Sequence, residues 1–241
     1  MDIKHVGSRG ILFTFHDLGI ATNVYVIRGK KRCYIIDTYL GPDVMQQINE
    51  YIMSPQGAMD VIVVNSHSHW DHVWGNSLYS TSLIISHAAC GEHMRQNGLA
   101  ELEKYAQYKK GDVCLTFPNF TFTDRICFED DNILIYHTPG HTVDELSVLD
   151  IRDRVLFAGD NLERPVPSFS SKNLKEYVHT LEGYLDMEFQ TAIGGHTGCE
   201  DKSLILHNLD YVKKVLSGDT AEFETGECAE GHRANVEWLC E

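Results

Sequence analysis

Six consecutive residues, His67-Ser68-His69-Trp70-Asp71-His72, concentrate three imidazoles and a carboxylate in one short stretch. They follow the β-branched run Val61-Ile62-Val63-Val64 and open what reads as a short helix. Side chains two apart at a strand's end share a face, so His67 and His69 project to one side. Asp71 and His72 lie just beyond and can turn toward a neighbouring point. One loop can therefore serve two metal centres, provided other segments supply the missing ligands. Three more candidates stand just past strand-like runs: His141 in Thr138-Pro139-Gly140-His141, Asp160 in Ala158-Gly159-Asp160, and His196 in Gly194-Gly195-His196. Polar residues beyond the ends of different strands converge at one edge of a sheet. Sorted by chemistry, His67, His69 and His141 form a three-imidazole face, and Asp71, His72 and His196 form a mixed face. Asp160 can bridge the two through its two oxygens. Imidazole and carboxylate donors suit Zn2+ first, two per chain, with Fe or Mn as alternatives.

The elements that must position these residues are mostly strands with helices at intervals. Residues 11–15, 23–28 and 32–37 read as strands, the last ending in Asp37 before the Gly41-Pro42 stop. Val44, Ile48, Tyr51 and Ile52 keep helical spacing, so 43–53 is expected to be a helix. The pattern then predicts a strand at 61–65, a short helix over 71–79 and a strand at 83–85. Residues 88–110 are helical in character, with a break expected near Gly98, and 111–131 read as loop plus short hairpin strands. Strands are expected at 133–136, 146–150, 155–158 and 191–196. Leu174, Tyr177, Val178, Leu181 and Leu185 mark the buried face of an amphipathic helix. A last helix over 201–217 ends at Gly218, a suitable C-terminal cap. The acidic tail from 219 is weakly patterned.

Composition narrows the classes. At 241 residues, with 43% hydrophobic and 23% charged, the chain can bury a full-sized core, and no linker divides it. A single domain over 1–241 is expected. Net charge is −15 and no basic stripe occurs, which disfavours a nucleic-acid partner. Apolar runs fall short of the ~20 residues needed to span a bilayer, so no membrane partner is expected. MDIKHVGSRGILF has no apolar signal-peptide core, making cytoplasmic the expected location. Seven cysteines at scattered spacing, without a C-x-x-C pair, point to reduced thiols. Cys33 and Cys127 sit in apolar runs and are expected to fill core. Cys228, His232 and Cys240 match no standard zinc spacing and are read as structural.

The motifs H-x-H-x-D-H, P-G-H-T, A-G-D and G-G-H, in that order, resemble those of the metallo-β-lactamase-fold hydrolase superfamily. The resemblance runs from Asp37 through His196 and implies the seven metal ligands His67, His69, Asp71, His72, His141, Asp160 and His196. It implies an α+β fold, the αββα sandwich, in which two mixed β-sheets pack face to face with helices on the outer faces. Asp37 is either a group supporting a ligand imidazole, as the family implies, or an ordinary turn former. Departures from particular members shape the expected activity. The bridging Asp160 and the lack of an export signal argue against antibiotic hydrolysis. Asn161, Leu162 and Glu163 stand where acyl-homoserine lactonases carry a Tyr. The short acidic 197–241 segment argues against the glutathione site of glyoxalase II-like thioesterases.

The expected function is that of a dinuclear metal-dependent hydrolase acting on an ester, thioester or lactone-like small molecule. A metal-bridging hydroxide is the expected nucleophile, available because bound water drops to a pKa of roughly 7. Asp71 is the catalytic residue expected to orient it. Two alternatives stay open: an iron-dependent redox enzyme of dioxygenase or oxygen-reductase type, and a phosphodiesterase or nuclease. The substrate's identity, the oligomeric state, and the placement of Tyr105 and Tyr108 in a lid or in helix packing stay open as well.

Overall fold

The computed structural model describes residues 1–52 and 59–241. Position 53, where the expected first helix ends, lies outside the described residues. The first sheet holds β1 (Asp2–Val6), β2 (Gly10–Phe15), β3 (Thr22–Arg28), β4 (Arg32–Ile36), β5 (Asp60–Val64), β6 (Leu83–His87) and β7 (Phe120–Phe122), in that spatial order. β1 to β4 run antiparallel, and β4 to β7 run parallel. The second sheet comprises β8 (Arg125–Phe128), β9 (Ile133–His137), β10 (Leu146–Asp150), β11 (Val155–Phe157), β12 (Thr191–Ile193) and β13 (Cys199–Glu200). Its spatial order is β13-β12-β11-β10-β9-β8, and only β11–β12 is parallel.

The period of two along the strands builds three apolar layers. Tyr25 and Ile27 of β3 meet Ile135, Val148 and Phe157 of the second sheet, while Val24 and Val26 face the other way. Onto that outer face pack Val44, Met45, Ile48 and Ile52 of helix α1 (Pro42–Ile52) and Met94 of helix α3 (Ala88–Lys104). On the far side, Leu149, Leu156 and Ala192 lie against Leu174, Tyr177, Leu181 and Tyr184 of α4 (Leu174–Asp186), and against Leu204, Ile205 and Val212 of α5 (Lys202–Ser217). This is the expected αββα sandwich. Asn173 caps α4 through Glu176 N, Asp201 caps α5 through Ser203 N, and Gly218 closes α5 at φ 78°.

Topology brings the motif loops together. β9 and β11 both run antiparallel to β10, and β12 runs parallel to β11. The C-terminal ends of β9, β11 and β12 therefore lie at one edge of the second sheet. The loop after β5 reaches that edge, where Leu146 N donates to Ser66 O at 2.7 Å and Asn23 N donates to Gly195 O at 2.8 Å.

The structure departs from the expected elements in several places. β1 is unforeseen because four of its five residues are exposed, leaving little hydrophobic signal. The segments at 120–128 do not form a hairpin: β7 ends the first sheet and β8 ends the second. Helix α3 runs unbroken through Gly98, where an added Cβ would crowd the Leu115 side chain at 3.3 Å. The expected helix at 71–79 divides into α2 (Trp70–Val73) and a tighter 3-10 segment, Trp74–Tyr79. Cys127 is exposed on the edge strand β8 rather than in the core, whereas Cys33 is buried. The tail contains α6 (Ala229–Cys240), whose buried residues are His232 and Asn235, so an apolar periodicity could not reveal it. No described helix is long and apolar enough to cross a membrane.

Candidate metal centre

The loop after β5 begins with Asn65-Ser66 and carries the first four candidates. Ser66 and His67 are fully buried, and α2 starts at Trp70 with His69 at its N-cap in extended conformation. That geometry turns His69 to one side and places Asp71 and His72 within the first helical turn. His67, His69 and His141 come together with Asp160, and Asp71, His72 and His196 form a second group. In each group the candidate ligand atoms lie within 4.8 Å of one another. All seven residues singled out in the sequence therefore meet at one place.

Asp160 sits at its centre. Its Oδ2 lies 3.6 Å from His67 Nε2, 3.4 Å from His72 Nε2, 3.8 Å from His141 Nε2 and 3.2 Å from His196 Nε2. His69 points inward through its other nitrogen, Nδ1, at 3.2 Å from His141 Nε2. Asp71 Oδ2 is 3.5 Å from His72 Nε2 and 3.4 Å from His196 Nε2.

The outward nitrogens explain the inward ones. His72 Nδ1 donates to Asp37 Oδ2 at 2.9 Å, His141 Nδ1 to Ser168 O at 2.9 Å and His196 Nδ1 to Ala21 O at 2.8 Å. His67 Nδ1 lies 3.0 Å from Ser66 Oγ, which itself donates to Asp37 Oδ2 at 2.7 Å. Acceptors at Nδ1 assign a proton to that nitrogen, which makes each Nε2, facing Asp160, the nitrogen available to a metal. His67 Nε2 and Asp160 Oδ1 are buried without any hydrogen-bond partner among the described residues. Each such orphan costs about 1–3 kcal/mol when nothing fills it. A side chain on Gly195 would collide with the Asp160 carboxylate and the His72 ring, so glycine keeps the space between them open. Converging imidazole nitrogens, orphaned polar atoms and a glycine-lined gap fit divalent cations.

Charge is divided between the two groups. Burial depresses the His67 imidazole well below its ordinary value, with His72 adding to the effect, and pushes His69 down to about 4. These imidazoles are neutral donors. Burial opposes a charge on His72 and His196 too, but Asp160 and Asp71 hold both protonated well above the ordinary histidine range. Asp160 in turn stays ionised against burial because His196, His72 and His67 surround it.

Asp37 adopts the left-handed region at φ 63° and accepts from Ser66 N at 2.7 Å as well as from His72. Asp37 is thus a buried non-glycine residue in a conformation such residues rarely adopt, hydrogen-bonded behind a candidate ligand. Several supporting groups carry no motif and escape a sequence reading. Glu145 accepts from Asp160 N at 3.1 Å and lies 3.5 Å from His67 Nδ1. Burial, with Asp160 and Asp144 nearby, pushes its carboxyl well above the usual range. Glu163 accepts from Ser168 N and Oγ at 2.6 Å, bracing the loop that holds His141. The position after the A-G-D motif is the only signal for it in the sequence.

Other residues nearby take structural places. Trp74 is core, while half-buried Trp70 stacks on Tyr105 at 4.4 Å and on Tyr108 at 5.5 Å, forming one wall of a cleft beside His69. His87 caps α3, accepting from Ala89 N, and stacks on His137. Buried His232 pairs with Tyr211 Oη at 3.1 Å, and among the described residues it joins no metal-competent group with Cys228 or Cys240.

Known proteins with these features agree with the geometry. Residues 18–217 match the family model described as the metallo-beta-lactamase superfamily. The beta-lactamase-like protein 2 homolog of Drosophila melanogaster is 27% identical over 184 residues, a match covering 73% of this chain and 58% of that protein. The Bos taurus protein named acyl-coenzyme A thioesterase MBLAC2 is 25% identical over 201 residues, covering 72% of this chain and 70% of its own. The DIM-1 metallo-beta-lactamase superposes with a TM-score of 0.72 at 17% identity, over 89% of this chain and 97% of that one. FIM-1 from Pseudomonas aeruginosa, solved in a mono-zinc form, gives 0.70 at 16%, over 89% and 95%. At those identities the solved structures speak for the fold alone. By its fold, its ordered His/Asp motifs and the family match over most of its length, the chain belongs to the metallo-beta-lactamase superfamily.

Proposed function

We propose that this chain is a dinuclear metal-dependent hydrolase that cleaves an ester or thioester bond in a small molecule, with one domain over 1–241 carrying the activity. His67, His69 and His141 would hold one divalent cation, Asp71, His72 and His196 the other, and Asp160 would bridge them. The ligand chemistry favours zinc, with iron or manganese as substitutes. One observation carries the reading: a single oxygen, Asp160 Oδ2, stands 3.2–3.8 Å from four imidazole Nε2 atoms. The thioester choice is supported by the acyl-coenzyme A thioesterase relatives from Bos taurus and Homo sapiens.

Two cations bound there would supply an ionised water at neutral pH and polarise a carbonyl oxygen as charge builds on it. The chain's own groups do the remaining work. Asp71, largely buried beside His72 and His196, accepts the O–H of the attacking water and orients it. Asp37 and Ser66 lock the His72 and His67 tautomers, and the Ser168 carbonyl does the same for His141. Trp70 and Tyr105 wall off one side of the cleft from water.

Metal analysis of protein purified without added chelator, combined with turnover of ester, thioester, lactone and phosphodiester substrates, tests the proposal. Two transition-metal equivalents with thioester or ester turnover is the expected result. Less than one equivalent, or turnover confined to the phosphodiester, overturns it. Iron with oxygen consumption and no hydrolysis would place the chain among the redox members instead.

A further inference from the structure

The cleft beside His69 encloses about 420 Å3, and much of its wall comes from one face of α3. Asn97, Glu101 and Lys104 line it at i, i+4 and i+7, the spacing that puts three side chains on one helical face. Seven residues of helix advance about 10 Å, so these groups form a row of that length along the cleft. Trp70 and Tyr105 give the cleft an aromatic side, and Ser170 adds a hydroxyl.

Glu101 and Lys104 are three apart, close enough to pair on a helix surface. Neither forms an ion pair with any described residue. The Lys104 ammonium lies 4.9 Å from the centre of the Tyr105 ring instead. Glu101 is half-buried without a hydrogen-bond donor among the described residues, and burial pushes its carboxyl above the usual value. Both charged groups thus face the cleft, one half-buried and one exposed, with no described side chain committed to either.

Building on the hydrolase reading above, we propose that α3 reads an anionic ester or thioester whose arm carries an amide or ammonium N–H. Glu101 accepts that N–H, Asn97 adds a second hydrogen bond, and the exposed Lys104 binds a carboxylate or phosphate. The anion can sit on the acyl group or on the thiol arm, and the substrate set separates these sources.

The metal-loaded full chain is assayed with three thioesters that all carry an amide. S-acetyl-N-acetylcysteamine is neutral, S-succinyl-N-acetylcysteamine is anionic on its acyl side, and S-acetyl-phosphopantetheine is anionic on its thiol arm. One anionic substrate is expected to exceed the neutral one in kcat/KM by roughly five- to tenfold, mostly through KM. Lys104→Glu collapses that ratio, while Lys175→Glu, an exposed change on α4, leaves it as it is. Glu101→Leu narrows the preference for S-acetyl-N-acetylcysteamine over S-ethyl thioacetate, which lacks the amide. No anionic preference in the wild type, or a preference that survives Lys104→Glu, overturns the proposal. If neither a thioester nor an ester turns over, the hydrolase reading fails by itself. The α3 reading is then judged by calorimetric binding of the thioether analogues of both anionic compounds, and equal affinity for wild type and Lys104→Glu overturns it.

Discussion

The candidate metal centre and the α3 wall adjoin each other and are built on opposite principles. In the centre, four of the five inward-facing imidazoles are pinned from behind by a carboxylate, a hydroxyl or a backbone carbonyl. Asp37, Ser66 and Ala21 adjoin strand ends, and Ser168 lies in the loop before α4. On the wall, Glu101 and Lys104 have no ionic partner among the described residues, and Lys104 is exposed. The contrast separates tasks. Chemistry needs donors fixed in advance, because any reorganisation during the reaction adds to the barrier. Recognition can leave its polar groups waiting for the ligand.

Replacing the central carboxylate breaks that contrast most severely. Asp160→Ala should drop metal content from two equivalents to one or none and lower turnover by on the order of 10³-fold or more, read by metal analysis and steady-state kinetics. Asp37→Ala touches neither substrate nor the proposed cations, yet it frees the His72 imidazole and Ser66. It should cost about 10–100-fold in metal affinity or activity, measured by competition with a chelator, and an unchanged affinity would reduce Asp37 to a turn former. On the wall, Trp70→Ala removes the stack on Tyr105 and should raise KM by roughly three- to tenfold with metal content intact. Loss of metal in that variant would show that wall and centre are one unit.

Remote from both regions, Asp153 ties the β1–β2 turn to the loop after β10. It accepts from Ser8 Oγ at 2.8 Å and Arg9 N at 3.0 Å. Partial burial pushes its carboxyl up, but the Ser8 and Arg9 donors more than offset this and hold it below the usual range. A carboxyl depressed in the folded state contributes stability above its unfolded value, and that stability disappears as pH falls through the folded one. Asp153→Asn should therefore lower Tm by a few degrees near pH 7, the smallest effect of the four, with the gap closing as pH falls below the ordinary aspartate range. Activity at pH 7 should hold, since the turn lies away from the motif loops.

Much of this was legible in the chain. The ligand candidates carry their own signal because histidine and aspartate clustered after β-branched runs serve no packing purpose. Strands such as 23–28 and helices such as 174–186 announce themselves through apolar periods of two and 3.6. Legibility failed where burial and polarity part company. β1 is mostly exposed and α6 buries His232 and Asn235, so neither shows an apolar stripe. Glu145 and Glu163 look like surface acids until folding seals them behind the ligands.

By itself, then, the sequence determined the superfamily, most of the order of elements and the seven candidate ligands, since residue type and periodicity are local properties. The tertiary structure decided the rest. It sent β7 and β8 to different sheets, directed the His69 Nδ1 and four Nε2 atoms inward, and turned Asn97, Glu101 and Lys104 toward the cleft. Each of these depends on contacts between residues distant in the chain: the acceptor behind each imidazole, the strand beside each edge and the loop facing each helix lie elsewhere in the sequence, and no local pattern encodes them.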